Sequence, residues 1–223
     1  MRRFAIFGGT FDPIHIGHMR GLVEAREIID CEKIFLVPAG VPPHKSLLKR
    51  SPPEDRLEMA RLAAKDLGTG IVSTFEIESK EPSFTLNTLS HFSSTFENMS
   101  PTLIIGSDSL LEINTWHRYE DVLSRAHLAI LPRPGFLMEE NLDELGKKLW
   151  PVRIKEIKRN YPTSASDSLI TDRDREIALL KMSRLNISST EIRQKVKAGK
   201  SIKFLVTQSV EKYIIEKRLY REV

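Results

Sequence analysis

The run Gly8-Gly9-Thr10-Phe11-Asp12-Pro13-Ile14-His15-Ile16-Gly17-His18 sets two imidazoles three residues apart, just behind a pair of glycines. These residue types suit chemistry on phosphate. Adjacent glycines let the backbone approach a bulky anion in conformations closed to other residues. Pro13 stiffens the turn, and a helix starting after His15 is expected to aim its N–H groups and positive dipole end back at the loop. His15 and His18 then share one helix face, where each can donate a hydrogen bond to charge developing on a phosphoryl group. Gly17 omits a side chain where a flat or charged ligand needs access. Rival readings fit less well. A metal site lacks a third ligand at matching spacing, the dinucleotide fingerprint needs glycines at other intervals, and a purely structural turn explains neither histidine.

A second constellation lies near the C terminus, Ile187-Ser188-Ser189-Thr190-Glu191-Ile192-Arg193. Ser188 or Ser189 can cap a helix whose exposed N–H groups again favour an anion. Arg193 falls about one turn inside, where its guanidinium can fork onto phosphate oxygens.

The elements that must hold these loops read as alternating strands and helices. Phe4–Phe7, Ile34–Val37, Ile71–Ser73, Leu103–Ile105 and His127–Leu131 are short apolar runs fit for buried strands. Helical spacing follows from about Ile16, over Glu54 to Leu67 and around Leu86 to Phe96. This alternation predicts βαβ units: an α/β, Rossmann-like three-layer fold with a mostly parallel sheet and helices on both faces. Ligands of such sheets lie beyond the carboxyl ends of the strands. The loops at Gly8, Val37 to Lys45, Gly106 and Pro132 are therefore the places to look. Residues 137–174 give no clear pattern, and Thr163 to Ser168 read as a flexible turn. Without repeats or low-complexity tracts, one domain over 1–223 is expected, its C-terminal helical part from about 186.

Hydrophobic residues make up 40% and charged residues 29%, which excludes a disordered chain. No apolar run approaches the roughly 20 residues needed to cross a bilayer, and the N terminus lacks a signal-peptide pattern. The single cysteine, Cys31, excludes an internal disulfide framework, so a reducing cytoplasm and no membrane partner are expected. The net charge of +4 is uneven. Residues 1–146 hold 15 basic and 21 acidic side chains (net −6), and residues 147–223 hold 19 and 9 (net +10). A basic segment can attract nucleic acid, but the aromatic interleaving of single-strand binders is missing, so no nucleic-acid partner is expected.

The segment Gly9 to His18 resembles the signature of the nucleotidyltransferase superfamily, whose H-x-G-H element binds a nucleoside triphosphate. Ile187 to Arg193 resembles that superfamily's second signature, in the expected order and about 170 residues on. His15-Ile16-Gly17-His18 also matches class I aminoacyl-tRNA synthetases, and Lys181-Met182-Ser183-Arg184 resembles their second motif. The chain is short for such an enzyme, and Lys181 to Leu185 reads better as a strand leading to the helix cap.

Further segments resemble nicotinate-nucleotide adenylyltransferases in particular. They are Val37-Pro38 through Pro42-Pro43-His44-Lys45, Pro82-Ser83-Phe84-Thr85, Ile105-Gly106-Ser107-Asp108 with Trp116, Arg133-Pro134-Gly135, and Val210 to Tyr220. Members of that family usually carry tyrosine at Phe84 and proline at Thr207. The resemblance implies adenylyl transfer from ATP to nicotinate mononucleotide in NAD biosynthesis, with Mg²⁺ carried mainly by the ATP phosphates. His15, His18 and Arg193 would be catalytic. Gly8, Gly9, Thr10, Phe11, Gly17, Gly106, Asp108, Ser189 and Thr190 would bind ATP. His44, Lys45, Phe84, Thr85, Trp116 and Arg133 would bind the mononucleotide. Asp108 could instead cap a helix. Acceptors left open are nicotinamide mononucleotide and phosphopantetheine, and the oligomeric state, a homo-oligomer included, is also open.

Overall fold

The computed structural model describes residues 2–40, 50–79, 82–133, 149, 154–158, 166–183 and 185–221. Eight strands form one sheet: β1 (Arg3–Gly9), β2 (Lys33–Pro38), β3 (Ile71–Val72), β4 (Ser100–Gly106), β5 (His127–Leu131), β6 (Ile154–Lys158), β7 (Ser166–Thr171) and β8 (Glu176–Leu180). Their order is β3-β2-β1-β4-β5-β8-β7-β6. The expected Rossmann-like α/β sheet is present. It is mostly parallel, with β1–β4, β4–β5, β5–β8 and β2–β3 parallel. Strand order turns back at β1, and the carboxyl end of β1 carries the Gly8-Gly9 loop.

One edge of the sheet lies where the sequence shows no pattern, and two segments depart from expectation. β7 pairs antiparallel with β8 and with β6, giving the sheet an antiparallel edge where the sequence shows no pattern. Ser166 to Ser168, read as part of a flexible turn, belong to β7, because their backbone pairs with Leu180 to Ala178. Likewise Lys181 to Ser183 follow the end of β8 rather than extending it. Lys181 is instead paired with Asp167 of β7 at 3.1 Å.

Eight α-helices are described: α1 (Ile16–Ile28), α2 (Pro53–Leu67), α3 (Phe75–Glu78), α4 (Thr85–Thr95), α5 (Ser107–Leu111), α6 (Tyr119–Arg125), α7 (Ser189–Lys197) and α8 (Gln208–Glu216). Local chemistry sets their ends. α2 starts at a proline, carries Glu54 and Asp55 in its first turn, and stops at left-handed Gly68, whose N–H bonds Lys65 O. α8 is capped by Thr207, whose hydroxyl accepts from Val210 N. The threonine standing at the family's usual proline position thus has a local role.

Contacts divide the chain into two compact units, each assembled from three separate stretches. The first holds residues 1–7, 23–34 and 84–184. Phe4, Ala5, Ile6 and Phe7 are all buried, as suits a strand covered on both faces. Phe4 packs on Phe92 and Phe96. His127 at the start of β5 accepts from Glu176 N at Nδ1, and Glu176 is in turn paired with Arg3. Arg175 reaches Ser124 O and Ser100 Oγ.

The second unit holds residues 8–22, 35–83 and 185–223. Its helices α2 and α8 are joined by Tyr213 Oη to Asp55 and by Ser209 Oγ to Asp66, each at 2.8 Å. Among the described residues no helix is long and apolar enough to cross a membrane.

Candidate active site

Both sequence constellations fall in the second unit, and there they meet. Ser188 is the helix cap: its hydroxyl accepts from Glu191 N at 3.1 Å. That leaves Ser189 for another task, and its Oγ donates to Pro13 O at 2.9 Å. Arg193, one turn along α7, donates from Nη1 to Asp12 O at 2.7 Å and from Nη2 to Thr190 Oγ1. Two contacts from α7 therefore bind it to the glycine loop. The guanidinium sits with its fork over the segment that leads into His15.

The two histidines are closer partners than their spacing suggests. Their rings stack at 3.6 Å with 24° between the planes. His15 N donates to His18 Nδ1, and His18 N donates to His15 Nδ1. With both Nδ1 atoms accepting, a neutral ring carries its proton on Nε2, the tautomer suited to donating toward a phosphoryl oxygen. Both rings are buried, and Phe11 closes on His18 edge-on at 5.3 Å.

This arrangement corrects one expectation and adds to two others. The first N–H groups of α1 are not all aimed at the loop: Ile16 N bonds Leu205 O, and His18 and Met19 N bond His15 O. The side chain of Phe11 is buried against His18 and supports that ring. Gly17 serves His15 directly, since a Cβ there would lie 3.1 Å from the His15 ring. Gly8, Gly9 and Thr10 run from the end of β1 into this loop, with Thr10 only partly exposed.

Asp12, unassigned by sequence reasoning, is the hub. It is 3% exposed, yet each carboxylate oxygen has a donor: Oδ1 accepts from Tyr220 Oη at 2.7 Å and Oδ2 from Ser51 N at 3.3 Å. Burial first, and then Asp12, push the Tyr220 phenol pKa far up, so the phenol keeps its proton and donates. Arg56 was also missed. It is 2% exposed and donates to the carbonyls of Thr10, Ala39, Gly40 and Ser51. Burial pushes its pKa down and the Asp12 charge opposes this. Nothing in its sequence context separates Arg56 from an exposed helix arginine, although the carboxylate of Asp12 inside a motif is a signal that could have been followed.

The first unit holds the remaining candidates. Gly106 ends β4, and a Cβ there would lie 2.2 Å from Asp108 Oδ1 and 3.0 Å from Arg133 Nε. Glycine thus lets Asp108 and Arg133 face each other, 3.9 Å apart. Asp108 does not cap α5, whose cap position is Gly106 with no side-chain bond. Phe84 occupies the N-cap of α4 and Thr85 its first turn, again with no side-chain cap. The Phe84 ring stacks on His117 at 4.4 Å, and the neighbouring Trp116 is half-buried. His44 and Lys45, with Pro134 and Gly135, lie outside the described residues. Burial pushes the Cys31 thiol pKa up, opposite to the shift that activates a thiolate.

Residues 6–195 match the model of the cytidylyltransferase-like family. A protein of Caldicellulosiruptor saccharolyticus named probable nicotinate-nucleotide adenylyltransferase is 37% identical over 222 residues, covering 99% of this chain and all of its own. The chain belongs to the nicotinate-nucleotide adenylyltransferase family. A relative of the same name from Clostridium botulinum is 36% identical over the full length of both chains. The fold of this adenylyltransferase is also that of the Plasmodium falciparum nicotinic acid mononucleotide adenylyltransferase solved with NaAD. The two share 19% identity and a TM-score of 0.71, over 99% of this chain and 98% of that one. The chain is thus a nucleotidyltransferase, an enzyme that binds ATP.

Proposed function

We infer that the clamp closed by Arg193 and Ser189 over the glycine loop is the catalytic centre of this nicotinate-nucleotide adenylyltransferase. The reaction transfers the adenylyl group of ATP to nicotinate mononucleotide, giving deamido-NAD and pyrophosphate. The 5′-phosphate of the mononucleotide attacks the α-phosphorus, and the bond to the bridging oxygen of pyrophosphate breaks. A phosphate nucleophile is already ionised at neutral pH, so no strong base is required. Catalysis reduces to in-line positioning and to neutralising charge.

The single observation carrying this reading is the Arg193–Asp12 hydrogen bond, which brings two signatures far apart in sequence onto one loop. His15 and His18 donate from Nε2 to phosphate oxygens, and their mutual Nδ1 bonds hold both rings in place to do so. Arg193, with Ser189 and Thr190 beside it, adds positive charge and donors to the triphosphate. Gly8, Gly9 and Thr10 offer backbone N–H groups, and Gly17 keeps the His15 ring clear. In the first unit, Gly106 leaves room for Asp108 beside Arg133, and resemblance to the family assigns Asp108 to the ATP ribose. Phe84, Thr85, Trp116 and Arg133 receive the mononucleotide, with the uncapped N terminus of α4 supporting anion binding by Thr85. Phe84 lacks the phenol oxygen of the family's usual tyrosine but keeps the stacking face.

Mg²⁺ would ride on the ATP phosphate oxygens and offset their charge. Among the described residues the Asp12 carboxylate already accepts from Tyr220 and Ser51, and Mg²⁺ that keeps much of its water shell would need few protein carboxylates. Each unit draws on three stretches of chain, which supports reading residues 1–223 as one nucleotidyltransferase domain.

The test is pyrophosphate release with ATP, Mg²⁺ and each of nicotinate mononucleotide, nicotinamide mononucleotide and phosphopantetheine. Nicotinate mononucleotide should be turned over fastest. Equal or greater turnover of phosphopantetheine overturns the assignment.

A further inference from the structure

Arg56 is a buried cation that no carboxylate meets directly among the described residues; its bonds run instead to backbone carbonyls. Nη1 donates to Thr10 O at 3.0 Å and to Ala39 O, Nη2 to Gly40 O at 3.1 Å, and Nε to Ser51 O at 3.3 Å. Burying a guanidinium is costly, and a helix arginine pointing to solvent avoids that cost. The fold nevertheless places it 2% exposed, under the ends of two strands.

Its acceptors belong to two different loops. Thr10 follows β1 and starts the phosphate loop, whereas Ala39 and Gly40 follow β2 and lead into the segment carrying His44 and Lys45. The second loop is pinned from other sides too. Gly40 N donates to Ser83 Oγ at 3.0 Å, and a Cβ on Gly40 would sit 1.8 Å from Glu76 O, so no side chain fits there. The first loop is tied to the second by Ala39 N donating to Gly9 O at 2.9 Å.

We propose that Arg56 is a positioning residue for adenylyl transfer, one guanidinium setting the distance between the loop that holds the triphosphate and the loop that leads to the mononucleotide. This rests on the adenylyltransferase reading. Four carbonyl contacts from one planar, rigid fork fix both loops in a single geometry. A lysine keeps the charge but supplies a single point of donation on a flexible stem, so the loops lose their common reference. Misplacing reacting groups by about 1 Å costs on the order of a hundredfold in rate.

Wild-type enzyme, Arg56→Lys and Arg56→Gln are compared for kcat and for KM toward each substrate, with circular dichroism and Tm recorded on the same samples. An inactive wild-type enzyme overturns the functional reading itself, independently of Arg56. With an active wild type, the expected result is folded variants whose kcat at saturation of both substrates falls tenfold to a hundredfold, Lys no better than about tenfold above Gln. Folded variants with wild-type kcat overturn the proposal. So do variants that both fail to fold, because that outcome assigns Arg56 to the fold alone.

Discussion

Asp12 O accepts a 2.7 Å hydrogen bond from Arg193 Nη1, joining residues 181 positions apart in the chain. The same guanidinium holds Thr190 Oγ1, so its plane is oriented from two sides before any ligand arrives. Arg193→Lys keeps the charge but cannot serve both acceptors and a phosphate together. Its kcat/KM for ATP should fall on the order of a hundredfold, with Tm little changed. Steady-state kinetics beside a melting curve check this, and near wild-type kcat/KM would remove Arg193 from the catalytic clamp.

The reciprocal bonds of His15 and His18 make each ring the other's support. His18→Ala removes a donor and also the Nδ1 that accepts from His15 N. A loss of a hundredfold or more in turnover is expected, in protein that remains folded by circular dichroism. Turnover within a few-fold of wild type would sink the phosphate-cradle mechanism.

Gly17→Ala separates activity from stability. Alanine is the better helix former by up to about 1 kcal/mol, yet its Cβ would stand 3.1 Å from the His15 ring. The ring must yield by a few tenths of an ångström, away from its donating geometry. Turnover should drop tenfold or more while Tm stays level or rises. A parallel fall in both would show that the contact disturbs the fold instead.

Tyr220→Phe tests the hub. It strips a donor from a carboxylate that is 3% exposed, a loss worth about 1–3 kcal/mol. At about 2–4 °C per kcal/mol for a chain of this size, Tm should fall by several degrees. The tyrosines also set an alkaline limit. Burial and then Asp55 push the Tyr213 phenol up to about 12, and Tyr220 shifts the same way. Their contribution is complete below pH 10, where even the unfolded chain keeps its phenol protons. For Tyr213 it is lost as pH rises from 10 through about 12, and for Tyr220 it persists to higher pH.

His127 sets the acid limit. Burial first, then Arg3 and Arg175, push its pKa down to about 4, with Glu176 opposing. Protonating Nδ1 would also break its acceptance from Glu176 N. Between pH 6.5 and about 4 the unfolded chain takes the proton and the folded chain does not. Stability is therefore complete above pH 6.5 and declines as pH falls toward 4. Tm measured from pH 7.5 to 4.5 should drop, and His127→Asn should flatten that drop. An unchanged slope in the variant would assign the acid loss to other groups.

The sequence by itself determined the parts whose cause is local. Apolar runs such as Phe4–Phe7 and Leu128–Leu131 become strands because a sheet covered on both faces favours apolar side chains on both. The helix over Glu54–Leu67 follows from spacing plus the proline and glycine at its ends. Two short motifs pointed to phosphate chemistry, the first through its residue types and spacing and the second through its resemblance to a family signature. The tertiary structure decided what depends on partners distant in the chain. Periodicity carries no trace of Tyr220 reaching Asp12 over 208 residues, or of Arg56 turned inward. It could not say that Ser188 caps while Ser189 reaches Pro13, since both serines satisfy the same local rule. Nor could spacing foresee the stacking of His15 on His18, because i,i+3 neighbours on a helix face can equally splay toward a ligand. Long-range hydrogen bonds have no sequence period, and in this protein they aim the site.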